Sequence, residues 1–169
     1  MAAIVQAAQK GHWRERFGAQ VAAVISNKAE AAGLAFAREH HIATAALDHK
    51  AYASREDFDA ALMGEIDHYT PVLVVLAGFM RILTPGFVTH YAGRLVNIHP
   101  SLLPAFAGLQ THQRAIDAGC KFAGCTVHRV TADRRIESAP TELRLALGIG
   151  VDRPPVALDD IQRLHDQLE

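Results

Sequence analysis

Two polar side chains in the middle of the chain have the types and spacing to act together on a carbonyl group. Asn97 and His99 are separated by one residue, so in a strand they point to the same face. An asparagine amide can donate a hydrogen bond to a developing oxyanion, and a histidine can donate or accept a proton near neutral pH. The pair is a candidate catalytic site at the end of a strand, although the same pattern also fits a structural or solvated role.

A second candidate is the segment 78–83, which follows the aliphatic run 71–77. Gly78 permits a close approach of a ligand to the backbone, and Phe79 and Met80 offer an adaptable apolar wall that Arg81 interrupts. The pattern is typical of a binding loop, and equally of an ordinary core at the end of a strand.

The elements that must position these residues alternate between strand and helix. Apolar runs predict strands over 21–26, 42–47, 71–77, 94–99 and 122–131. Helices are predicted over 2–10, 28–41 and 109–118, after the N-cap Ser54, and from Thr84-Pro85. We therefore predict an α/β fold with an open, mostly parallel sheet that carries helices on both faces and is incomplete at both ends.

Composition limits the classes of function. The 169 residues are 50% hydrophobic, and 17 Lys and Arg balance 18 Asp and Glu, which argues against nucleic-acid binding by bulk electrostatics. The longest apolar run is about half of the roughly 20 residues that a membrane span requires, and no secretory signal is visible. Cys120 and Cys125 are expected to be reduced thiols, and no metal site is predicted. These features predict a cytoplasmic protein without a nucleic-acid or membrane partner.

The amino-acid composition and the balance of charge change after Thr131. Residues 132–169 carry 5 Arg against 8 Asp and Glu, and they include Pro140, Gly148, Pro154 and Pro155. We predict a first domain over 1–131 and a divergent tail over 132–169, with short helices at 141–147 and 157–168 and no strand that has a place in the sheet.

The candidate segments resemble phosphoribosylglycinamide formyltransferase (GAR transformylase), in the family of folate-dependent formyltransferases. The resemblance covers about residues 2–131, and it is carried by 77–83 and 91–104, together with 26–29, 54–56, 111–115 and 124–128. It implies a Rossmann-like fold, with 10-formyltetrahydrofolate as the formyl donor and the amine of phosphoribosylglycinamide as the acceptor, in purine biosynthesis. The enzyme would use no metal and would be a monomer or a weak dimer.

The resemblance also implies roles for individual residues. Asn97 would bind the formyl oxygen and His99 would be the general acid. The residues implied to bind folate are Arg55, Met80, Arg81, Ile82, Leu83, Asn97 and Thr131. Those implied to lie beside the acceptor are Gly78, Pro100 and His128, of which His128 could equally be a packed strand histidine.

Three departures from the family pattern stand beside this resemblance. The family's first strand and glycine-rich phosphate loop are not found, the later segments differ, and the position of the aspartate that orients the catalytic histidine is occupied by Arg135. An arginine there would disfavour the imidazolium, so we expect impaired activity. A misplaced start together with a frameshift near codon 132 would explain the departures, as would a divergent product. The alternatives are a folate-binding or interaction protein without catalysis, and formyltetrahydrofolate hydrolase or another formyltransferase.

Overall fold

The computed structural model describes residues 1–132, 137–138 and 156–157. The helices are α1 (Ala2–Lys10), α2 (Trp13–Phe17), α3 (Ala32–Glu39), α4 (Arg55–His68), α5 (Pro85–His90) and α6 (Thr111–Asp117), with a 3₁₀ turn at His49–Ala51. The strands are β1 (Ala23–Ser26), β2 (Ala43–Ala46), β3 (Val74–Ala77), β4 (Leu95–His99), β5 (Phe122–Ala123), β6 (Thr126–Arg129), β7 (Glu137–Ser138) and β8 (Val156–Ala157).

The strands form two parallel ladders with antiparallel additions. β1 pairs with β2 and β3 pairs with β4, both in parallel. β4 also pairs antiparallel with β6, and β6 with β7, which gives the order β3-β4-β6-β7. Among the described residues, no backbone hydrogen bond joins β1 to β3. The predicted α/β fold class is confirmed, and each antiparallel pair includes at least one strand that follows α6.

Two N-caps predicted from the sequence hold the start of their helices. Ser54 Oγ accepts a hydrogen bond from the Asp57 N–H at 3.0 Å, at the start of α4. Thr84 Oγ1 accepts from the Phe87 N–H at 3.3 Å, and Pro85 occupies the first turn of α5. These side chains satisfy amide groups that a helix leaves without partners in its first turn.

The predicted helix over 28–41 begins four residues late. Ser26 Oγ accepts from the Lys28 N–H at 3.1 Å, and the Ala31 N–H donates to the Lys28 carbonyl at 3.2 Å. The serine side chain therefore stabilises a turn, and α3 starts only at Ala32. A serine side chain that bonds to a nearby backbone amide offers that amide an alternative to the hydrogen bonds of a helix.

The predicted strand over 122–131 is divided at Gly124 and Cys125 into β5 and β6. A Cβ at Gly124 would lie 2.7 Å from Leu102 Cδ2, so the glycine leaves room for the Leu102 side chain of the loop after β4. The division lets β6 pair with β4 while β5 pairs antiparallel with β8.

The prediction that the tail has no strand with a place in the sheet was wrong. β7 pairs with β6 and β8 pairs with β5. The start of the predicted helix over 157–168 was also wrong, because Ala157 belongs to β8. The predicted helix over 141–147 and the rest of 157–168 lie outside the described residues. The domain division at 131 stays a prediction.

The main core lies between α4, α5 and the strands β3 and β4. Its buried side chains are Phe58, Leu62, Ile66, Val74, Phe87, Val88, Tyr91 and Leu95. The Tyr91 hydroxyl donates to Asp67 Oδ1 at 2.9 Å, and burial together with this hydrogen bond raises the pKa of Tyr91. This core fixes the direction of β3 and β4, whose ends carry the candidate site.

Candidate active site

The C-terminal end of β4 carries both members of the Asn97–His99 pair. β3 lies on one side of β4, with Leu76 opposite Asn97, so the segment 78–83 leaves the sheet beside the pair. β6 lies on the other side and places His128 directly opposite Asn97. Asn97, His99 and His128 are all half-buried. Three elements that are distant in sequence therefore converge at one edge of the sheet.

Asn97 and His128 are joined by a hydrogen bond that defines their donor and acceptor roles. His128 Nδ1 lies 3.0 Å from the Arg129 carbonyl oxygen, which can only accept, so Nδ1 carries the proton. His128 Nε2 is then the acceptor for Asn97 Nδ2 at 3.1 Å. One amide hydrogen of Asn97 is used in this way, and the second is left to stabilise an oxyanion.

His99 is held by a backbone group of the loop that follows it. His99 Nε2 donates to the Phe106 carbonyl oxygen at 3.3 Å. The long distance makes this a weak hydrogen bond. The Phe106 carbonyl orients the imidazole and competes for the proton that a general acid would deliver.

Thr126 fixes the loop that carries Phe106. Its hydroxyl donates to the Ser101 carbonyl at 2.7 Å and accepts from the Leu103 N–H at 2.9 Å. Ser101 Oγ in turn donates to the Ala105 carbonyl at 2.7 Å. Sequence reasoning missed Thr126 and Phe106. The available signal was the position of Thr126, which lies directly opposite His99 in the β4–β6 register.

The segment 78–83 presents apolar side chains to solvent. Gly78 has φ +68°, a conformation that favours glycine, at the turn out of β3. Met80 is 80% exposed and Ile82 is 64% exposed. The Arg81 guanidinium lies 5.1 Å from the centre of the Phe58 ring. These side chains form an open apolar surface with one positive charge beside it.

Leu83 is the last residue of this segment, and Arg55 lies on the helix whose Phe58 ring contacts Arg81. Arg55 is exposed in the first turn of α4, three residues before Phe58. Leu83 packs against the main core and anchors the end of the segment. The structure therefore groups five of the seven residues predicted to bind folate around β3 and the start of α4.

Asp59 fixes the end of the segment to α4, and sequence reasoning missed it. Its side chain is 2% exposed, and Oδ2 accepts from the Thr84 N–H at 2.7 Å. The signal in the sequence was a carboxylate next to Phe58, on the buried face of a helix. Without this bond, the Thr84 amide would be buried without a partner.

The Asp59→Ala substitution should lower the free energy of unfolding by about 1–3 kcal/mol, because it leaves the buried Thr84 N–H unsatisfied. Asp59→Asn is the matched control, since its carbonyl oxygen can still accept that bond. Urea unfolding followed by circular dichroism measures both. Equal stability of Asp59→Ala and the unsubstituted chain would contradict the role given to Asp59.

One predicted residue, Thr131, stands apart from this arrangement. The Val130 N–H donates to the Leu95 carbonyl at 3.0 Å, which places Thr131 beyond the N-terminal end of β4. Leu95 is four residues before His99, so Thr131 lies about 13 Å or more from the imidazole along the strand. Pro100 is exposed directly after β4. Arg135 lies outside the described residues.

Two other kinds of feature are absent from the described part of the chain. There, no group of three or more His, Cys, Asp or Glu side chains could hold a metal ion. In the same residues, no helix has the length and apolar character to cross a membrane.

Known proteins resemble both the sequence and the structure. Residues 1–134 match the formyl transferase family. Phosphoribosylglycinamide formyltransferase of Escherichia coli (strain K12) is 59% identical over 111 residues, which are 66% of this chain and 52% of that enzyme. The chain therefore spans about half the length of that relative.

Solved structures with the same name are also similar. The phosphoribosylglycinamide formyltransferase of Brucella melitensis is 49% identical, with a TM-score of 0.72 over 80% of this chain and 69% of that one. Glycinamide ribonucleotide transformylase 1 of Symbiobacterium toebii is 38% identical, with a TM-score of 0.75 over 96% of this chain and 74% of that one. In sequence and in fold, this chain belongs to the formyl transferase family.

Proposed function

We propose that this chain transfers the formyl group of 10-formyltetrahydrofolate to the amine of phosphoribosylglycinamide, a step of purine biosynthesis. The observation that carries the proposal is the convergence of Asn97, His99 and His128 beside the segment 78–83. The names of the similar enzymes support the choice of acceptor. The reaction would take place in the cytoplasm, without a metal ion, in a monomer or weak dimer.

The chemistry needs one oxyanion donor and one proton donor. The acceptor nitrogen attacks the formyl carbon, and the carbonyl electron pair moves to oxygen. The second N–H of Asn97 Nδ2 donates to this oxygen, while His99 Nε2 exchanges its bond to Phe106 for one to the tetrahedral intermediate. His99 gives its proton to the folate nitrogen as the bond from carbon to that nitrogen breaks, and the proton lost by the amine restores His99.

The binding roles follow the same geometry. Met80 and Ile82 offer exposed apolar surface to the pterin, with Arg55, Arg81 and Leu83 at its border. Gly78, Pro100 and His128 surround the end of β4, where the acceptor amine would approach. Thr131 would contact folate only from the far end of β4. That position makes it the weakest member of the proposed set.

An assay with donor labelled with ¹³C in the formyl group tests the proposal. We expect labelled formylglycinamide ribonucleotide, and we expect its rate to fall about 10²–10³-fold in Asn97→Ala, which removes the oxyanion donor. Labelled formate as the only product would identify a hydrolase instead. An equal rate in the Asn97→Ala variant would contradict the site.

By the resemblance, Arg135 would take the position of the family aspartate that stabilises the charged histidine, so we propose that transfer is slower than in the relatives. Arg135→Asp should raise the rate at least 10-fold, because a nearby carboxylate favours the imidazolium. Arg134→Asp makes the same change of charge one residue earlier and should leave the rate unchanged. Equal rates for the two variants would contradict the position assigned to Arg135.

Folate binding without transfer is the second candidate. The exposed apolar side chains of Met80 and Ile82 favour it, because the donor surface does not depend on the catalytic pair. Calorimetry with tetrahydrofolate separates the candidates. Binding with no labelled product supports a binding protein, whereas binding with product supports the enzyme.

A further inference from the structure

A cavity of about 160 Å³ lies between the loop after β4 and helix α6, outside the catalytic pair. Its walls include Leu102, Phe106, Ala115, Cys120 and Ala123, and they are almost entirely apolar. Pro100 is the one residue of the proposed site on this wall. An engineered apolar cavity of about 150 Å³ in another protein binds benzene, so the volume here suits one six-membered ring.

Thr111 is one of three polar residues on this wall, with the buried Ser101 and the exposed His112. Thr111 lines the cavity and is 5% exposed. Within the described residues its hydroxyl has no hydrogen-bond partner, although buried hydroxyl groups are normally paired. An unpaired buried hydroxyl is costly, and a ligand that supplies its partner recovers that cost.

We propose that this cavity is a binding site for a small aromatic alcohol, with the ring against Ala115 and Ala123 and the ligand hydroxyl bonded to Thr111 Oγ1. The ligand class follows from two independent features, the ring-sized apolar volume and the buried Thr111 hydroxyl, which, unlike the Ser101 hydroxyl that donates to Ala105, has no partner among the described residues. This site is distinct from the proposed folate surface on β3 and α4, and its occupation does not require formyl transfer.

Phe106 connects the cavity with His99. The Phe106 side chain packs against the cluster of Ala115 and Ala123, whereas its carbonyl oxygen accepts from His99 Nε2. A ring in the cavity therefore contacts a residue whose carbonyl orients the imidazole. Phenol should consequently change the nuclear magnetic resonance signals of the His99 ring as well as the methyl signals of Ala115 and Ala123.

Titration of the full chain with phenol and with benzene tests the proposal. Both ligands should bind and should shift the Ala115 and Ala123 methyl signals. Thr111→Val keeps the shape of the side chain and removes the hydroxyl, so it should weaken phenol binding about 3- to 10-fold and leave benzene binding unchanged. Thr89→Val, at an exposed threonine of α5, is the matched control and should change neither affinity.

The outcomes that overturn the proposal are specific. Phenol that fails to shift the two methyl signals up to its solubility limit would exclude the site. Equal phenol affinity in the Thr111→Val and unsubstituted chains would exclude the role of Thr111. Ala115→Leu should fill the cavity and abolish binding of both ligands. If that variant does not fold, Ala123→Val provides the same test with a smaller addition. None of these readouts depends on catalysis.

Discussion

Formyl transfer should fall by about 10²–10⁴-fold when His99 is replaced by alanine, because the variant has no positioned proton donor for the tetrahedral intermediate. His99 is half-buried at the end of β4, and within the described residues its side chain makes one hydrogen bond, the weak one to Phe106, so its removal leaves the sheet intact. Product formation from the ¹³C-labelled donor measures the rate. The affinity for tetrahydrofolate should change little, since His99 lies outside the 78–83 segment.

The matched control is His68→Ala, at an exposed histidine in the last turn of α4. It should keep the full rate. A rate in His99→Ala within tenfold of that control would exclude His99 as the general acid. A loss of folate binding together with activity would instead assign His99 a structural role in the loop that contains Phe106.

The largest effect on stability should come from Phe87→Ala, which we expect to lower the free energy of unfolding by about 3–5 kcal/mol. Phe87 is completely buried, and its ring lies 4.8 Å from the ring of Tyr91. The substitution removes an aromatic ring from the core between α4 and α5, and the surrounding backbone can close the space only partly. Urea unfolding measures the change.

The matched control is Phe17→Ala, which removes a phenylalanine ring from a surface position. Phe17 is 58% exposed at the end of α2, so its substitution should change the free energy of unfolding by no more than about 0.5 kcal/mol. If both substitutions had similar effects, the core would not lie where the structure places it.

The sequence predicted well those features that depend on local pattern. Ser54 and Thr84-Pro85 fixed two helix starts, because a hydroxyl that caps a first turn acts over three residues. The spacing of Asn97 and His99 predicted a common face, because side chains alternate along a strand. The parallel pairing of β3 and β4 follows from buried aliphatic runs connected by a helix.

The features that the sequence could not predict depend on contacts between distant segments. The Phe106 carbonyl reaches His99 only because Thr126 fixes the loop from the neighbouring strand. The strands β7 and β8 are two residues long, and they exist because β6 and β5 offer them partners. No local periodicity indicates a strand of two residues, so the pattern of 157–168 favoured a helix.

Amide hydrogen exchange should divide the sheet into two units with separate opening free energies. The Val74 N–H donates to the Arg94 carbonyl, so along β3 the amide of Val75 points away from β4. Among the described residues no strand is hydrogen-bonded to that side of β3, and β1–β2 is joined to β3–β4 by packing rather than by a shared ladder. Protection factors should therefore be high for Leu76 and low for Val75, and the β1–β2 amides should exchange without global unfolding.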